Sequence, residues 1–413
     1  MGEAQRVERH VIRESSPFYG LLDYYCFMAK NLYNHANYIV RQKFLESRNW
    51  VRYRELNDVL MNDKEFPDYR EMPTAQSAQQ TLKLLDKNWE SFFKAIKVWK
   101  KDKSKFLGKP ELPKYKKKDG RSLLMLTNQN VKLTGGVLSF PKKFKGFTLK
   151  TRIEENKRFI SFQMVRFLPK PNHIIVEVVY KVEVPDLLED NGIYMSMDLG
   201  VNNLVAVTNN FGGKPIIVNG RVVKSINQFY NKKISHYRSI ANTVNDRYYT
   251  RRMNRITTWR NRKIEGYMHK TSQYLIAYAL QHNVSKIGIG YNDGWKQEAE
   301  MGRKNNQTFV NIPFLKFIEK LQYKAEDVGI EIILTEESYT SGTSFLDGES
   351  PTEENYDKRR RKCRGLFRTN EGMLVNSDVN GSLQISKKAF PNADPRLWDS
   401  GCVLQPIKIS FAV

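Results

Sequence analysis

The apolar positions change period twice along the chain, and each change marks a different kind of structure. In the first third they recur at helical spacing. Leu22, Tyr25, Cys26, Ala29, Leu32, Tyr33, Ala36, Ile39 and Val40 fall on one face. A second stripe runs through Ala78, Leu82, Leu85, Trp89, Phe92, Ile96 and Trp99, with Pro73-Thr74 as its start signal. The two stripes predict helices packed on one another. Their opposite faces carry Lys30, Arg41, Lys43, Lys83, Lys87, Lys94 and Lys97, which either track phosphates or are simply solvated.

From about residue 122 to 190 the period is two. Gly135-Gly136, between Val131-Lys-Leu and Val137-Leu-Ser-Phe, predicts a hairpin. Two further strands are predicted over 159–167 and 174–182, joined by Pro169-Lys-Pro-Asn. The result is a small antiparallel sheet or barrel. The preceding helices are then an insertion into it, with residues 1–15 as its first strand.

The pattern changes again near residue 193. Strands are predicted over 193–198, 204–208 and 214–218, with turns at Gly200 and Gly212-Gly213. Ser225 with Gln228 resembles a capping box for a long helix. Ile264, Met268, Thr271, Leu275, Tyr278 and His282 form the stripe of a second. A strand over 286–290, a helix over 313–328, a strand over 332–335 and a last helix after Asp378 complete the series. Three strands followed by helix, strand, helix, strand, helix is the order of the RNase H fold.

Charge adds a partner to this picture. The 413 residues carry a formal net charge of +24 and a pI near 9.7, an excess that calls for a polyanion on the surface. Aromatic residues interleave with the basic ones, which points to nucleic acid. The densest mixture follows the strand meander and includes Lys232, Lys233, Arg238, Arg247, Arg251, Arg252, Arg255, Arg260, Arg262 and Lys263, with Tyr230, Tyr237, Tyr248, Tyr249 and Trp259 among them. A proline-punctuated run over 109–118 contains Lys114, Tyr115 and Lys116. It either grips a phosphate backbone or is a solvated linker. Cys26, Cys363 and Cys402 form no CxxC pair, which excludes a disulfide framework and a four-cysteine zinc ribbon and predicts reduced thiols in the cytosol. No apolar stretch is long enough to span a bilayer, and residues 1–15 are too polar for a signal peptide.

Cleavage of a phosphodiester by two metals needs carboxylates converging from different elements, with the ions about 4 Å apart. Magnesium suits such a site because it prefers oxygen ligands and keeps water and phosphate in its shell. Asp198 ends an apolar strand before a glycine, and Asp378 opens an apolar helix. Taken alone, the first is more simply a turn residue and the second an N-cap. At the two ends of an RNase H-like order they form a candidate pair.

Asp-Leu-Gly-Val-Asn-Asn-Leu-Val-Ala-Val (198–207), Glu-Ser-Tyr-Thr-Ser (337–341) and Asn-Ser-Asp-Val-Asn-Gly (376–381) resemble the TnpB family of transposon-encoded, RNA-guided DNA nucleases, related to type V CRISPR effectors and Fanzor proteins. The resemblance is strong over the C-terminal half and looser before it. It implies an α+β multidomain chain: an antiparallel wedge β-barrel with an inserted helical recognition lobe, then an RNase H-like (RuvC) α/β nuclease domain. The expected divisions are a first wedge strand at 1–15, the lobe at 16–105, the barrel at 106–190, the nuclease domain at 191–390 and a tail at 391–413. It also implies a guide RNA encoded near the gene, double-stranded target DNA cut beside a short flanking motif, and two Mg2+ ions. A monomer associated with the cytoplasmic nucleoid is the expected state.

Two departures from the family pattern matter. The family's second catalytic residue is a Glu at the end of the fourth strand, where this chain has Gly290. Either the nuclease is inactive or another carboxylate substitutes: Asp293, Glu298, Glu300, Glu336 or Glu337. Some relatives resemble an arrangement with the Glu moved to the Glu-x-Tyr-Thr-Ser position. Adjacent strand residues face opposite sides, so only one of Glu336 and Glu337 faces the metals, and Glu337 is the choice. The expected ligands are Asp198, Glu337 and Asp378. The second departure is the missing pair of CxxC motifs between residues 342 and 375, so no structural zinc is expected. A basic run, Lys358-Arg-Arg-Arg-Lys-Cys-Arg, stands there instead. Its Arg359 and Arg360, with Lys114, Tyr115, Lys116, Arg251, Arg252, Arg255 and Arg260, are the expected nucleic-acid contacts. The alternatives to a guided nuclease are an inactive RNA-guided DNA binder and a guide-independent transposon DNA-binding protein.

Overall fold

The computed structural model describes residues 2–245, 249–292, 309–363, 365–398 and 401–412. Asp293, Glu298 and Glu300, and with them Arg247, Tyr248 and Arg364, lie outside the described residues. The chain divides into two compact units, residues 3–183 and residues 184–413 with 1–2. Both mix helices and sheets.

In the first unit β1 (Gly2–Arg13) leads into α1 (Tyr19–Ser47), α2 (Tyr53–Asn62), α3 (Asp68–Glu71) and α4 (Ala75–Lys101). Helix α4 starts where the Thr74 side chain accepts from the Ser77 amide, and the Ser77 hydroxyl accepts from the Thr74 amide in return. This reciprocal cap satisfies donors that the first turn leaves unpaired. Helix α1 ends at Arg48, whose φ of 57° closes an N–H bond to the Phe44 carbonyl. The two apolar stripes meet in one core. Trp89 has no exposed surface, sits 5.4 Å from Phe44 and 6.0 Å from Phe93, and donates its indole N–H to Asn37 at 3.0 Å.

The strands that follow are β2 (Leu124–Thr127), β3 (Lys132–Thr134), β4 (Val137–Ser139), β5 (Thr148–Lys150), β6 (Phe159–Lys170) and β7 (His173–Val184). They form two open sheets, a four-stranded one ordered β1-β7-β6-β2 and a three-stranded one ordered β3-β4-β5. The hydrogen bonding thus gives two sheets where a barrel is expected. Gly135 and Gly136, at φ 56° and 74°, turn β3 back on β4 as a tight hairpin, and β4 pairs with β5 on its other edge.

The second unit is built on a six-stranded sheet. Its strands are β8 (Tyr194–Leu199), β9 (Asn203–Asn209), β10 (Ile216–Asn219), β11 (Lys286–Gly290), β12 (Glu331–Thr335) and β16 (Ile407–Ile409), ordered β12-β11-β8-β9-β10-β16. Strands β8, β9 and β10 pair antiparallel, whereas β11 and β12 join parallel beside β8. Helices α5 (Arg221–Asn245), α6 (Arg251–Gln281), α7 (Phe314–Glu326) and α8 (Ser377–Ala389) complete the unit. A small sheet, β13 (Arg361–Cys363), β14 (Leu366–Arg368) and β15 (Leu374–Asn376), fills the interval before α8.

Two expectations are corrected here. Helix α5 begins a turn before Ser225, with the Asn219 side chain accepting from the Arg221 amide, so Ser225 lies inside the helix and caps nothing. The segment after residue 390 is not only a tail: β16 adds a parallel edge strand to β10. No helix among the described residues is long and apolar enough to cross a membrane.

Replacing Trp89 with alanine removes the largest side chain of the helical core and the Asn37 bond together. Urea unfolding of the variant should show a loss of about 3–5 kcal/mol, and a loss under about 1 kcal/mol would show that the helices are held elsewhere.

Candidate active site

Three segments meet at the end of β8. Asp198 is the fifth residue of that strand and pairs with Ala206 of β9, so it is a strand residue and not a turn cap. Helix α8 lies against the same two strands through buried hydroxyls. The Ser196 Oγ is 2.7 Å from Thr208 Oγ1 and donates to the Ser382 carbonyl at 2.6 Å, and Ser382 Oγ donates back to the Ser196 carbonyl at 2.9 Å. These bonds set the register of α8 on the sheet. Gly381 makes the approach possible: a Cβ there would lie 2.7 Å from Asp198 Oδ2.

Helix α8 is capped by Asn376, whose side chain accepts from the amides of Asp378 and Val379 at 3.0 and 3.2 Å. Asp378 is thereby relieved of the capping role. Its Oδ2 accepts instead from Asn203 Nδ2 at 2.7 Å. Asn203 belongs to the Asp-Leu-Gly-Val-Asn-Asn motif, yet nothing in one dimension pairs it with a residue 175 positions away. Asn380 bridges outward, donating to the Thr343 carbonyl at 2.7 Å and accepting from the Phe345 amide at 3.1 Å.

The third segment follows β12. Glu337 donates its amide to Asn292 Oδ1 at 3.0 Å, and Thr340 closes a turn on the Glu337 carbonyl with its hydroxyl at 2.8 Å. Lys388 of α8 donates to the Ser338 carbonyl at 2.7 Å. Glu337 is half-buried and Glu336 is exposed, with Glu336 accepting from the Ser338 hydroxyl. The position of Glu337 bears directly on Gly290. A Cβ at 290 would lie 3.1 Å from Glu337 Oε2 and 2.4 Å from Ile385 Cδ1. The space that a side chain on β11 would use holds the Glu337 carboxylate and Ile385.

The electrostatics follow from this convergence. Burial raises the Asp198 carboxyl well above the ordinary carboxylate range, and the charges of Asp378 and then Glu337 push it further, while Arg361 opposes them. Burial also raises Asp378, against the Asn203 bond and Arg361. The carboxylates thus carry more negative charge than their surroundings balance. That is the condition a hard cation relieves, and the donor set is the oxygen type that magnesium prefers. Among the described residues no group of three His, Cys, Asp or Glu side chains is placed so that it could hold a metal ion as it stands. The chemistry of the donors fits magnesium, and the space that Gly290 and Gly381 leave clear is where the carboxylates lie.

The expected nucleic-acid contacts divide by burial. Arg251, Arg252 and Arg255 are exposed on α6, and Arg252 lies over the Tyr237 ring at 4.6 Å. Tyr115 is 45% exposed and stacks under Arg41 at 5.0 Å. Lys114 is exposed and pairs with Glu111, and Arg359 is exposed and pairs with Asp357. Three others are partly buried and make contacts within the chain. Lys116 places its ammonium 4.5 Å over the Tyr33 ring, while its backbone exchanges two bonds with Asn34. Arg260 donates to Asn227 and to the Asn311 carbonyl, each at 2.7 Å. Arg360 is partly buried and pairs with Asp347 and Glu349.

Two family descriptions match this chain in order. Residues 177–296 match OrfB_IS605, a probable transposase family, and residues 314–385 match the Cas12f1-like TNB domain. The chain thus resembles TnpB-like type V effectors. The CRISPR-associated endodeoxyribonuclease Cas12f2 of Micrarchaeota archaeon (strain CG1_02_47_40) is 26% identical over 236 residues, which cover 53% of this TnpB-like chain and 41% of that relative. The chain therefore spans well under half the length of the curated relative it matches. Among solved structures, the Cas12f1-sgRNA-target DNA complex aligns at TM-score 0.36 and 14% identity, covering 92% of this chain and 99% of that one. The mini-RNA-guided endonuclease CRISPR-Cas_phi3 aligns at TM-score 0.45 and 9% identity, covering 98% and 93%.

The fit around position 290 is open to a direct check. Gly290→Ala drives a Cβ into Ile385 and toward Glu337, and should lower stability by about 1–3 kcal/mol. Ile385→Val removes the clashing Cδ1 and should recover much of that loss in the double variant. Equal melting temperatures for the parent and Gly290→Ala would show that the space is not occupied as described.

Proposed function

We propose that this TnpB-like chain is an RNA-guided DNA endonuclease of the RuvC type, with Asp198, Glu337 and Asp378 as its magnesium ligands. The observation that carries the reading is the relocation at position 290. The fourth strand of the large sheet, β11, ends in a glycine, and the carboxylate of Glu337 stands beside it from the segment that follows β12. A chain that had merely lost its glutamate would have no reason to keep an acid at this place. The order of the sheet, with an antiparallel meander and two parallel strands beside β8, is that of RNase H-like nucleases and supports the same reading. So does the similarity over 236 residues to an endodeoxyribonuclease.

In this mechanism the carboxylates of Asp198, Glu337 and Asp378 would hold the metal. Bound magnesium supplies a nucleophilic hydroxide and charge stabilisation at the leaving oxygen. The protein's own part is geometric. Asn203 holds one oxygen of Asp378 and so fixes the orientation of that carboxylate. The Thr340 turn fixes the backbone from which Glu337 projects. The exposed Arg251, Arg252 and Arg255 offer phosphate contacts that read backbone rather than base. The guide RNA would supply sequence recognition by pairing.

Two experiments bear on this function. Protein expressed from its native locus should copurify with one discrete RNA, released progressively as salt rises because each neutralised phosphate takes back counterions. Absence of a discrete RNA would remove the guided reading. With guide and matched plasmid, Asp198→Ala, Asp378→Ala and Glu337→Gln should each abolish magnesium-dependent cutting while leaving target binding intact. Asn203→Ala, acting through Asp378, should cost on the order of 10- to 100-fold, the scale for groups that orient a ligand. Full cutting by Glu337→Gln would exclude it as a ligand. Target binding without cutting by the unmodified protein would identify an inactive binder.

A further inference from the structure

Residues 338 to 377 separate two of the three carboxylates in sequence, and this stretch contains Arg360, a partly buried cation held by several acceptors. The Arg360 side chain is only 13% exposed. One arm of its fork, Nη1, donates to Glu349 Oε2 at 2.6 Å. The other, Nη2, donates to Asp347 Oδ2 at 3.0 Å and to Asn370 Oδ1. The guanidinium also lies over the ring of Phe367, 5.6 Å from its centroid, and that ring is wholly buried. Asn370 completes the circuit, donating its amide to Asp347 Oδ2 at 2.8 Å and its side chain to Glu349 Oε1 at 3.3 Å.

Each partner of this network leads back to the carboxylate cluster. The Glu349 carboxylate accepts from the Ser344 amide at 2.7 Å, in the loop that continues from Glu337 and Thr340. The Glu349 carbonyl accepts from Lys387 at 2.9 Å and from Gln384 at 3.2 Å, both on α8. Asn370 sits in the turn between β14 and β15, and β15 runs directly into the first turn of α8. The turn between β13 and β14 contributes as well, because the Gly365 carbonyl accepts from the Ser377 amide at 3.0 Å. A planar fork of fixed N–H directions holds several acceptors at set angles in a way that an ammonium does not.

We propose that Arg360 is a positioning residue. Its buried fork closes the segment between Glu337 and Asp378 into one rigid unit and thereby sets how these two carboxylates stand to each other. Arg360 touches neither of them and takes no part in the reaction itself. It acts through the loop at 344–349 on one side and the start of α8 on the other. This assignment rests on the nuclease reading for its effect on cutting, but not for its effect on the structure of the segment.

The test uses the full chain with its guide, in two variants. Arg360→Gln leaves Asp347 and Glu349 without their cation. Arg360→Gln combined with Asp347→Asn and Glu349→Gln removes the unbalanced charge as well, and should recover the melting temperature. Positioning predicts that both variants bind target within about twofold of the parent yet cut it at least about tenfold more slowly in single turnover, the scale for groups that orient metal ligands. It also predicts faster amide hydrogen exchange at Leu366–Arg368 and in the first turn of α8, with β8 and β11 unchanged. Cutting that recovers together with the melting temperature in the triple variant would show that Arg360 only balances charge, and would overturn the proposal. So would parental cutting and exchange in Arg360→Gln. If the unmodified protein does not cut, the nuclease reading fails by itself, and the exchange pattern alone then decides for or against the positioning role.

Discussion

The buried hydroxyl contact between Ser196, Thr208 and Ser382 is the constraint on which the carboxylate cluster depends. Helix α8 and strand β8 are far apart in sequence, and an apolar interface alone lets a helix slide along a sheet by a turn at modest cost. Directed bonds from hydroxyl to carbonyl do not tolerate such a shift, since any slip leaves polar atoms buried and unpaired. Two of the bonds are reciprocal between Ser196 and Ser382. They fix the helix along its axis, and Gly381 allows it close enough for Asp378 and Asp198 to share one electrostatic neighbourhood. Farther along the helix, Tyr194 stacks on Phe390 at 4.3 Å and adds an apolar stop. Specificity of register comes from the polar contacts, and most of the adhesion comes from the apolar ones.

Much of the element order was legible because it rests on periodicity. The stripes around Leu22 and Trp89 become α1 and α4. The meander and the alternation after it become the large sheet with its helices. Local chemistry of a few residues was legible too: Thr74 starts α4, and Gly135-Gly136 turns a hairpin. The failures have equally specific causes. Ser225 looked like a cap because its neighbours fit the pattern, but Asn219, six residues earlier, met the Arg221 amide. Strand β16 is three residues long, too short to show a period of its own. Whether β3–β5 join the longer strands or stand apart is a choice among pairing partners, and pairing is not written in any single segment.

The basic residues show the same limit in another form. Composition says how much positive charge there is, but not which side chains face water. Lys116, Arg260 and Arg360 sit in runs indistinguishable from those that hold Lys114, Arg255 and Arg359. The difference lies in partners supplied from elsewhere: a tyrosine ring on α1, a carbonyl at Asn311, two acids at 347 and 349. The acids around Arg360 were present in the sequence, but only the folded loop shows that they surround one guanidinium. Asn203 was missed for the same reason. Its motif was recognised, but its bond to Asp378 spans almost the whole second unit.

The packing around position 290 also has a historical consequence. Neighbouring parallel strands lie about 4.8 Å apart, so an acid at the end of either one reaches the same point, and a lineage can pass from one arrangement to the other through ancestors that carried both. The return is harder. Ile385 fills the room that a side chain on β11 would need, and Glu337 takes what remains. A single change back to glutamate at 290 meets two occupied positions at once, so selection would have to reshape the helix before it could reward the strand. A side chain at 290 is hard to accommodate while Ile385 keeps its size, and chains descended from this one are expected to keep their glycine.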